Sequence, residues 1–414
     1  MNVRTNTAQV VSVRGRRTAV AGTLLLAALA ASPAHAGPSE QARRIYERIA
    51  GVPPSAAELQ SMVTALGPCS GSCTADPNSA PLQAAAKVAT SAPSFYSVTL
   101  KNMVIPWTNR DQTVFAPFND YAATVIGMVR DDLPFNTALS ADILYVVNGV
   151  SPAAAVGDNN HYATAEANGV DLLANLKQTT QSAAYGTPTA ATAGLMTTRG
   201  AESSFFINGT NRAMFRFTMI NHFCHDMETL MDTTRPTDRV RQDVARSPGG
   251  DSRVFLNNCA GCHSGMDPMA QAFAFYNFNG TPVGDGTNTG TMEYTPGQVQ
   301  PKYLINANNF VYGFVTPDDS WSNRWRAGVN ASLGWDPSAG PGYGNGAKSL
   351  GVELESSDAF AQCQVVKVFT AVCFRAPNSS TDMATVQTIK ANFKSGGYKL
   401  KQVFQQSAAA CPGQ

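Results

Sequence analysis

The chain has 414 residues, with 30 Lys+Arg against 29 Asp+Glu, and only 14% of its residues are charged. So even a balance excludes a nucleic-acid or anionic-membrane partner held by a basic surface. With 34 glycines, 24 prolines and eight cysteines, the composition predicts a loop-rich, disulfide-bonded protein without coiled coil or low-complexity tract.

Residues 1–36 read as an export leader. Arg4, Arg14, Arg16 and Arg17 form a basic start without acids, an apolar run follows over 19–31, and Ala34-His35-Ala36 is a small-x-small cleavage site. That run is too short to span a bilayer, and no later run is long enough, so no transmembrane segment is expected. The mature chain is expected to begin at Gly37 in the periplasm or secreted medium. It keeps 26 basic residues against 29 acidic ones, a net charge of −3.

Residues 40–50 form an amphipathic helix with Ile45 and Ile49 on one face, ended by Gly51-Val-Pro-Pro. Ser55-x-x-Glu58 is a capping box that opens a second helix to about residue 66. Cys69 and Cys73 flank a loop flexible enough to close a small disulfide. A helix is expected over 118–130, broken by Asp132-Leu-Pro-Phe, and a short helix over 140–147 carries Tyr145. Residues 153–193, rich in Ala, Asn, Thr and Gly, read as a surface excursion with His161 in an exposed loop. Residues 212–231 form a strong helix, on which His222 and His225 share a face at i,i+3. They read as ordinary polar residues near a helix end, with metal or haem ligation as the sharper alternative.

Cys259-Ala-Gly-Cys262-His263 is a C-x-x-C-H motif and occurs once. It predicts one covalent haem c, bound through the Cys259 and Cys262 thiols with His263 as proximal iron ligand. A redox dithiol wants a strand–turn–helix context and a zinc site a second ligand pair; the sequence shows neither. Asp267-Pro268 reads as an N-cap with proline at the first helical position. The helix it opens, 269–277, places Met269, Phe273 and Tyr276 on one face. Met266 and Met269 are too near His263 to reach the other haem face and are packing residues. Met292, in the Gly/Asn-rich stretch 281–300, is the candidate sixth ligand. Arg212, Arg216 and Tyr294 are candidate distal donors if the sixth position is open.

Beyond the haem segment, Trp321 and Trp325 stand at i,i+4, and 334–346 is a Gly/Pro-rich loop. Helices are expected over 353–373, 383–393 and 400–409. If Cys363 and Cys373 share one helix, ten residues at about 1.5 Å each hold them roughly 15 Å apart. A disulfide needs Cα atoms within about 7 Å, so each must tie that helix to another segment, with Cys411 placed to anchor the C-terminus. Six cysteines allow fifteen pairings, and sequence alone does not choose among them.

The segment from Cys259 through Asp267-Pro268 to Asn279-Gly280 resembles the haem-binding segment of planctomycete- and myxobacterial-type exported cytochrome c proteins. The similarity continues through Asp131-Asp132-Leu-Pro-Phe135 with Thr137 to Asp142, and Arg212 to Cys224, where Phe223 replaces the family's leucine. It extends to Phe360-Ala-Gln-Cys363 with Phe369, and to Phe393 with Gly397-Tyr398-x-Leu400. The resemblance implies a monohaem exported cytochrome and names no reaction. The chain departs from it in residues 281–300 and 334–346.

The expected fold is mainly α: a multi-domain helical protein with a cytochrome c-like haem segment and long irregular loops. The expected division is a leader over 1–36, an N-terminal helical domain over 37–150 and a middle helical domain over 151–245. The haem-binding segment follows over 246–330 and a C-terminal helical domain over 331–414. Two functions fit. One is electron transfer to or from a redox partner protein. The other is a haem oxidoreductase, an oxygenase or peroxidase acting on a small-molecule substrate outside the cytoplasm.

Overall fold

Caps and apolar spacing set the first helices of the computed structural model, which describes residues 37–69, 73–281, 289–307 and 309–412. The leader expected over 1–36 lies outside the described residues. Helix Pro38–Ala50 buries Ile45, Tyr46 and Ile49. The expected capping box opens helix Ala56–Leu66: the Glu58 amide donates to the Ser55 hydroxyl at 3.3 Å, and the Ser55 amide to the Glu58 carboxylate at 2.8 Å. Helix Ala80–Thr90 completes a triplet that packs against the last helix, Leu400–Ala410. The first and last described helices thus meet within one compact unit. The Asp76 amide donates to the Ala409 carbonyl at 3.1 Å, and the Arg48 guanidinium to that of Cys411.

The protein is mainly helical, as expected. Among the described residues no helix is long and apolar enough to cross a membrane. The described residues also form three two-stranded antiparallel sheets: Leu144–Val147 with Leu176–Thr179, Tyr276–Thr281 with Thr289–Tyr294, and Ser320–Ser322 with Tyr343–Asn345.

Three disulfides brace the helices. Cys69 pairs with Cys73, Cys224 with Cys363 and Cys373 with Cys411. Cys363 and Cys373 do share one helix, Asp358–Cys373, and each ties it to a different segment. The Cys224–Cys363 bond closes 139 residues, which the loop-entropy model values at about 5 kcal/mol. It also fixes the end of helix Arg212–Phe223. There Cys224 turns left-handed at φ 59° and the His225 amide donates back to the Met219 carbonyl at 3.3 Å, so the helix stops eight residues short of the expected 231.

Other expectations change. Residues 144–147 are a strand, not the end of a helix. Tyr145 lies fully buried in it, its hydroxyl donating to Asp131 at 2.7 Å. The stretch 153–193 is no surface excursion. It contains helix Asn160–Ala167 and buries His161, Tyr162, Gln181 and Ala191 to Ala193. His161 lies inside: the Val147 amide donates to its Nε2 at 2.9 Å, so Nδ1 carries the proton and donates to the Pro152 carbonyl at 2.8 Å. The helix expected over 353–373 is two, Gly346–Glu355 and Asp358–Cys373, separated where Ser357 caps the second.

Glu355 closes the first of these and is 3% exposed. Its carboxyl meets the Leu139 amide at 2.7 Å and the Ser140 hydroxyl. Burial outweighs the hydrogen bonds from Ser140 and Leu139 and pushes the acid up from 4.5 to about 8. The folded state therefore prefers the protonated acid. This contribution is full below pH 4.5 and is lost as pH rises toward 8. Glu355→Gln, whose amide reproduces the protonated pattern, should flatten that dependence. The wild type should lose up to about 1.4 kcal/mol per pH unit across the window, read by denaturant unfolding at pH 5 and 8. Equal slopes in both proteins would refute this.

Candidate haem attachment site

Cys259 ends a π-helical turn, Phe255–Cys259, and Cys262 and His263 follow in the first turn of helix Ala260–Ala270. Positions i, i+3 and i+4 share a face, and all three side chains are partly exposed while most of that helix is buried. Cys259 and Cys262 are free thiols; the other six cysteines are oxidised. Cys259 borders a small apolar cluster of Val240, Phe255 and Ala260. The Cys262 thiol points at the Met227 carbonyl, 3.5 Å away. Burial, with Glu228, Asp226 and Cys259 nearby, pushes that thiol's pKa up. A raised thiol pKa keeps little thiolate at neutral pH, which does not suit a fast redox dithiol.

The opposite face is packed. Ser264 donates to the Asp232 carbonyl at 3.2 Å, and the Asp232 amide to the Gly261 carbonyl at 2.9 Å. The fully buried Trp325 indole lies directly on Gly265: a Cβ there would come within 1.9 Å of Nε1. At Gly261 the nearest atoms are the flexible Met231 side chain, at 3.2 Å.

Asp267 does not start a helix. The helix runs through Pro268 to Ala270, a 3-10 turn follows over Gln271–Phe273, and the expected helix 269–277 gives way to strand Tyr276–Thr281. Continuation puts Asp267 one turn past His263 on the same face. Its carboxylate is 3.2 Å from His263 Nδ1 through either oxygen. Arg212 grips it with Nε to Oδ1 at 2.6 Å and Nη2 to Oδ2 at 2.9 Å, and the Arg241 amide adds a bond to Oδ2 at 3.1 Å. Arg212 also clamps Asp243, at 2.5 and 2.7 Å, and reaches the Thr210 hydroxyl at 3.2 Å, so all five of its N–H groups have acceptors. Burial alone would push the Asp267 carboxyl up. Arg212, His263 and Arg241 outweigh it and hold the carboxyl well below the usual carboxylate range.

The remaining candidates scatter. Met292 stands in strand Thr289–Tyr294, opposite Phe278 and half-buried against the main core. Tyr294, on the same strand, packs its ring against Tyr276 at a tilt of 55°, with centroids 4.8 Å apart. Arg216 makes an exposed ion pair with Asp226 at 2.6 Å. Arg212 corrects its expected role: its guanidinium stands on the Nδ1 side of His263, spent on two carboxylates. His222 is a core residue, with Nε2 2.8 Å from the Tyr121 hydroxyl and its ring between Trp107 and Phe360. Burial, aided by Lys367, depresses it to about 3. His225 sits beyond the helix end, Nδ1 3.1 Å from the Thr229 hydroxyl, beside a cleft of about 500 Å³. Met266 and Met269 are buried packing residues, as expected.

Among the described residues no group of three His, Cys, Asp or Glu side chains comes together as a metal site. Two free thiols and one imidazole on an open helical face match the donor set for covalent haem. Sequence reasoning missed Asp243 and the true role of Asp267. The latter's i+4 spacing from His263 was visible, but masked by the Asp-Pro start signal.

Set against protein-family models, curated proteins and solved structures, the chain matches none.

The Gly265–Trp325 contact makes a prediction. Gly265→Ala must displace the indole and should cost about 1–3 kcal/mol, seen as a lower unfolding midpoint. Gly261→Ala, facing a side chain that can move, should be near neutral. Equal effects at the two positions would count against the packing described.

Proposed function

We propose that this chain is an exported monohaem c-type cytochrome that passes electrons to or from a redox partner protein. One observation carries the reading. Cys259 and Cys262 are the free cysteines among the described residues, and both lie on the open face that presents His263. Attachment requires that state. Each S–H adds across a vinyl C=C: sulfur bonds one carbon, the proton goes to the other, and no oxidant is consumed. His263 Nε2 is the iron ligand, since Nδ1 faces Asp267. When bound, the haem supplies a one-electron couple. Three disulfides fit an oxidising compartment, and the resemblance to exported cytochrome c proteins points the same way. Met292 is the proposed sixth ligand.

A second reading, a haem oxidoreductase with an open sixth site and a small-molecule substrate, has its own observation. A carboxylate on the proximal imidazole strengthens that ligand's donation to iron, which favours higher iron oxidation states.

Mass spectrometry of the exported protein should show one covalent haem in the wild type and none in the Cys259→Ala/Cys262→Ala double variant. A haem-free wild type refutes both readings. A low-spin ferric spectrum with no carbon monoxide binding after reduction supports the carrier. A high-spin spectrum with rapid binding supports the oxidoreductase. Met292→Ala should convert the first pattern into the second; an unchanged spectrum removes Met292 as ligand.

A further inference from the structure

The buried polar cluster behind His263 is built more completely than helix packing requires. Asp267 has no exposed side-chain surface, and Asp243 and Arg212 are 7% and 17% exposed. The Asp267 carboxylate receives two guanidinium N–H groups and one backbone amide. It is acceptor-only, so its contact with His263 is a hydrogen bond only when Nδ1 carries the proton. That leaves the Nε2 lone pair bare, on the side of the ring away from the cluster.

We propose that Asp267 is the positioning residue of this site: it fixes the His263 tautomer and ring plane before any iron arrives, and raises the donor strength of Nε2 once iron is bound. This rests on the haem reading above. Arg212 holds the carboxylate plane, and Asp243 holds Arg212. The chain His263–Asp267–Arg212–Asp243 spans residues 212 to 267 and joins two helices, so the imidazole is oriented by tertiary structure and not by its own turn alone. A carboxylate behind a ligand histidine is the outer-shell partner that sets tautomer and basicity. The same geometry gives Arg212 a fallback: with Asp267 neutralised it still pairs with Asp243 at 2.5 Å, so no buried charge is stranded.

The test compares wild type, Asp267→Asn and Asp267→Glu, each first weighed for one covalent haem. Asp267→Asn should keep its haem but stabilise ferric iron less. At a fixed potential its reduced-to-oxidised ratio should rise at least tenfold, about 59 mV for a one-electron couple. The iron–histidine stretch, read in the five-coordinate ferrous form that Met292→Ala supplies, should weaken. Asp267→Glu, restoring the charge, should recover most of both shifts. A merely structural role would lower stability and leave potential and stretch alone; that result overturns the proposal. If Asp267→Asn does not accumulate, proton NMR of the wild type decides. A slowly exchanging His263 Nδ1 proton supports the buried acceptor, and a rapidly exchanging one overturns it. A wild type without haem mass is a different failure: it removes the function on which the proposal stands.

Discussion

Asp267 has no exposed side-chain surface and keeps its charge, and the arrangement around the motif follows from how that charge is satisfied. Isolating a carboxylate from water costs several kcal/mol unless its lone pairs find donors and a counter-charge. Arg212 supplies both, in a two-toothed grip. The grip ties helix Ala260–Ala270 to helix Arg212–Phe223. Asn211, at the start of the latter, donates side-chain amide hydrogen bonds to the Phe273 and Tyr276 carbonyls at 2.9 and 2.8 Å. The motif helix is therefore fixed at its middle and just past its end. His263 inherits its orientation from those fixed points.

The two faces of that helix divide the work. Glycine at 261 and 265 lets Met231 and Trp325 come close on one side, so the helix can be buried deeply without turning its motif inward. The other side keeps two reduced thiols and an imidazole partly exposed. Six further cysteines in the same chain are paired at Cα separations of 5.2 to 5.7 Å. Cys262 is held protonated by burial and by Glu228, Asp226 and Cys259, which slows its attack on a disulfide.

Local signals were readable where local physics decides. The Ser55–Glu58 box, the short Cys69–Cys73 loop and the bar on a Cys363–Cys373 bond all depend on a few residues and fixed helix geometry. Misreadings share another cause: a distant partner outbids the local rule. Asp-Pro is a strong start signal, yet the Asp267 side chain binds Arg212, 55 residues earlier, and so never caps its own backbone. Tyr145 sits in a stretch with helical spacing but pairs across to Gln178. His161 looks like a loop residue, and its ring instead satisfies a strand amide and a carbonyl. The motif was legible because its three side chains lie within five consecutive residues. The cluster behind it was not, because Arg212, Asp243 and Asp267 meet only when the helices cross.

A chain this long for one small motif poses a question of economy, and the connectivity answers it. Helix Ala260–Ala270 rests on helix Arg212–Phe223. That helix is bonded through Cys224 to Asp358–Cys373, which is bonded through Cys373 to Cys411 at the end of the last helix. The last helix packs on the N-terminal triplet. Each step fixes the next, and the route draws on both ends of the chain. A buried ion pair contributes little net stability by itself, so a site organised around one must take its rigidity from elsewhere. Here a large apolar core and two long-range disulfides supply it. The mass of the protein is what lets a charged, desolvated cluster stand directly behind a partly exposed histidine.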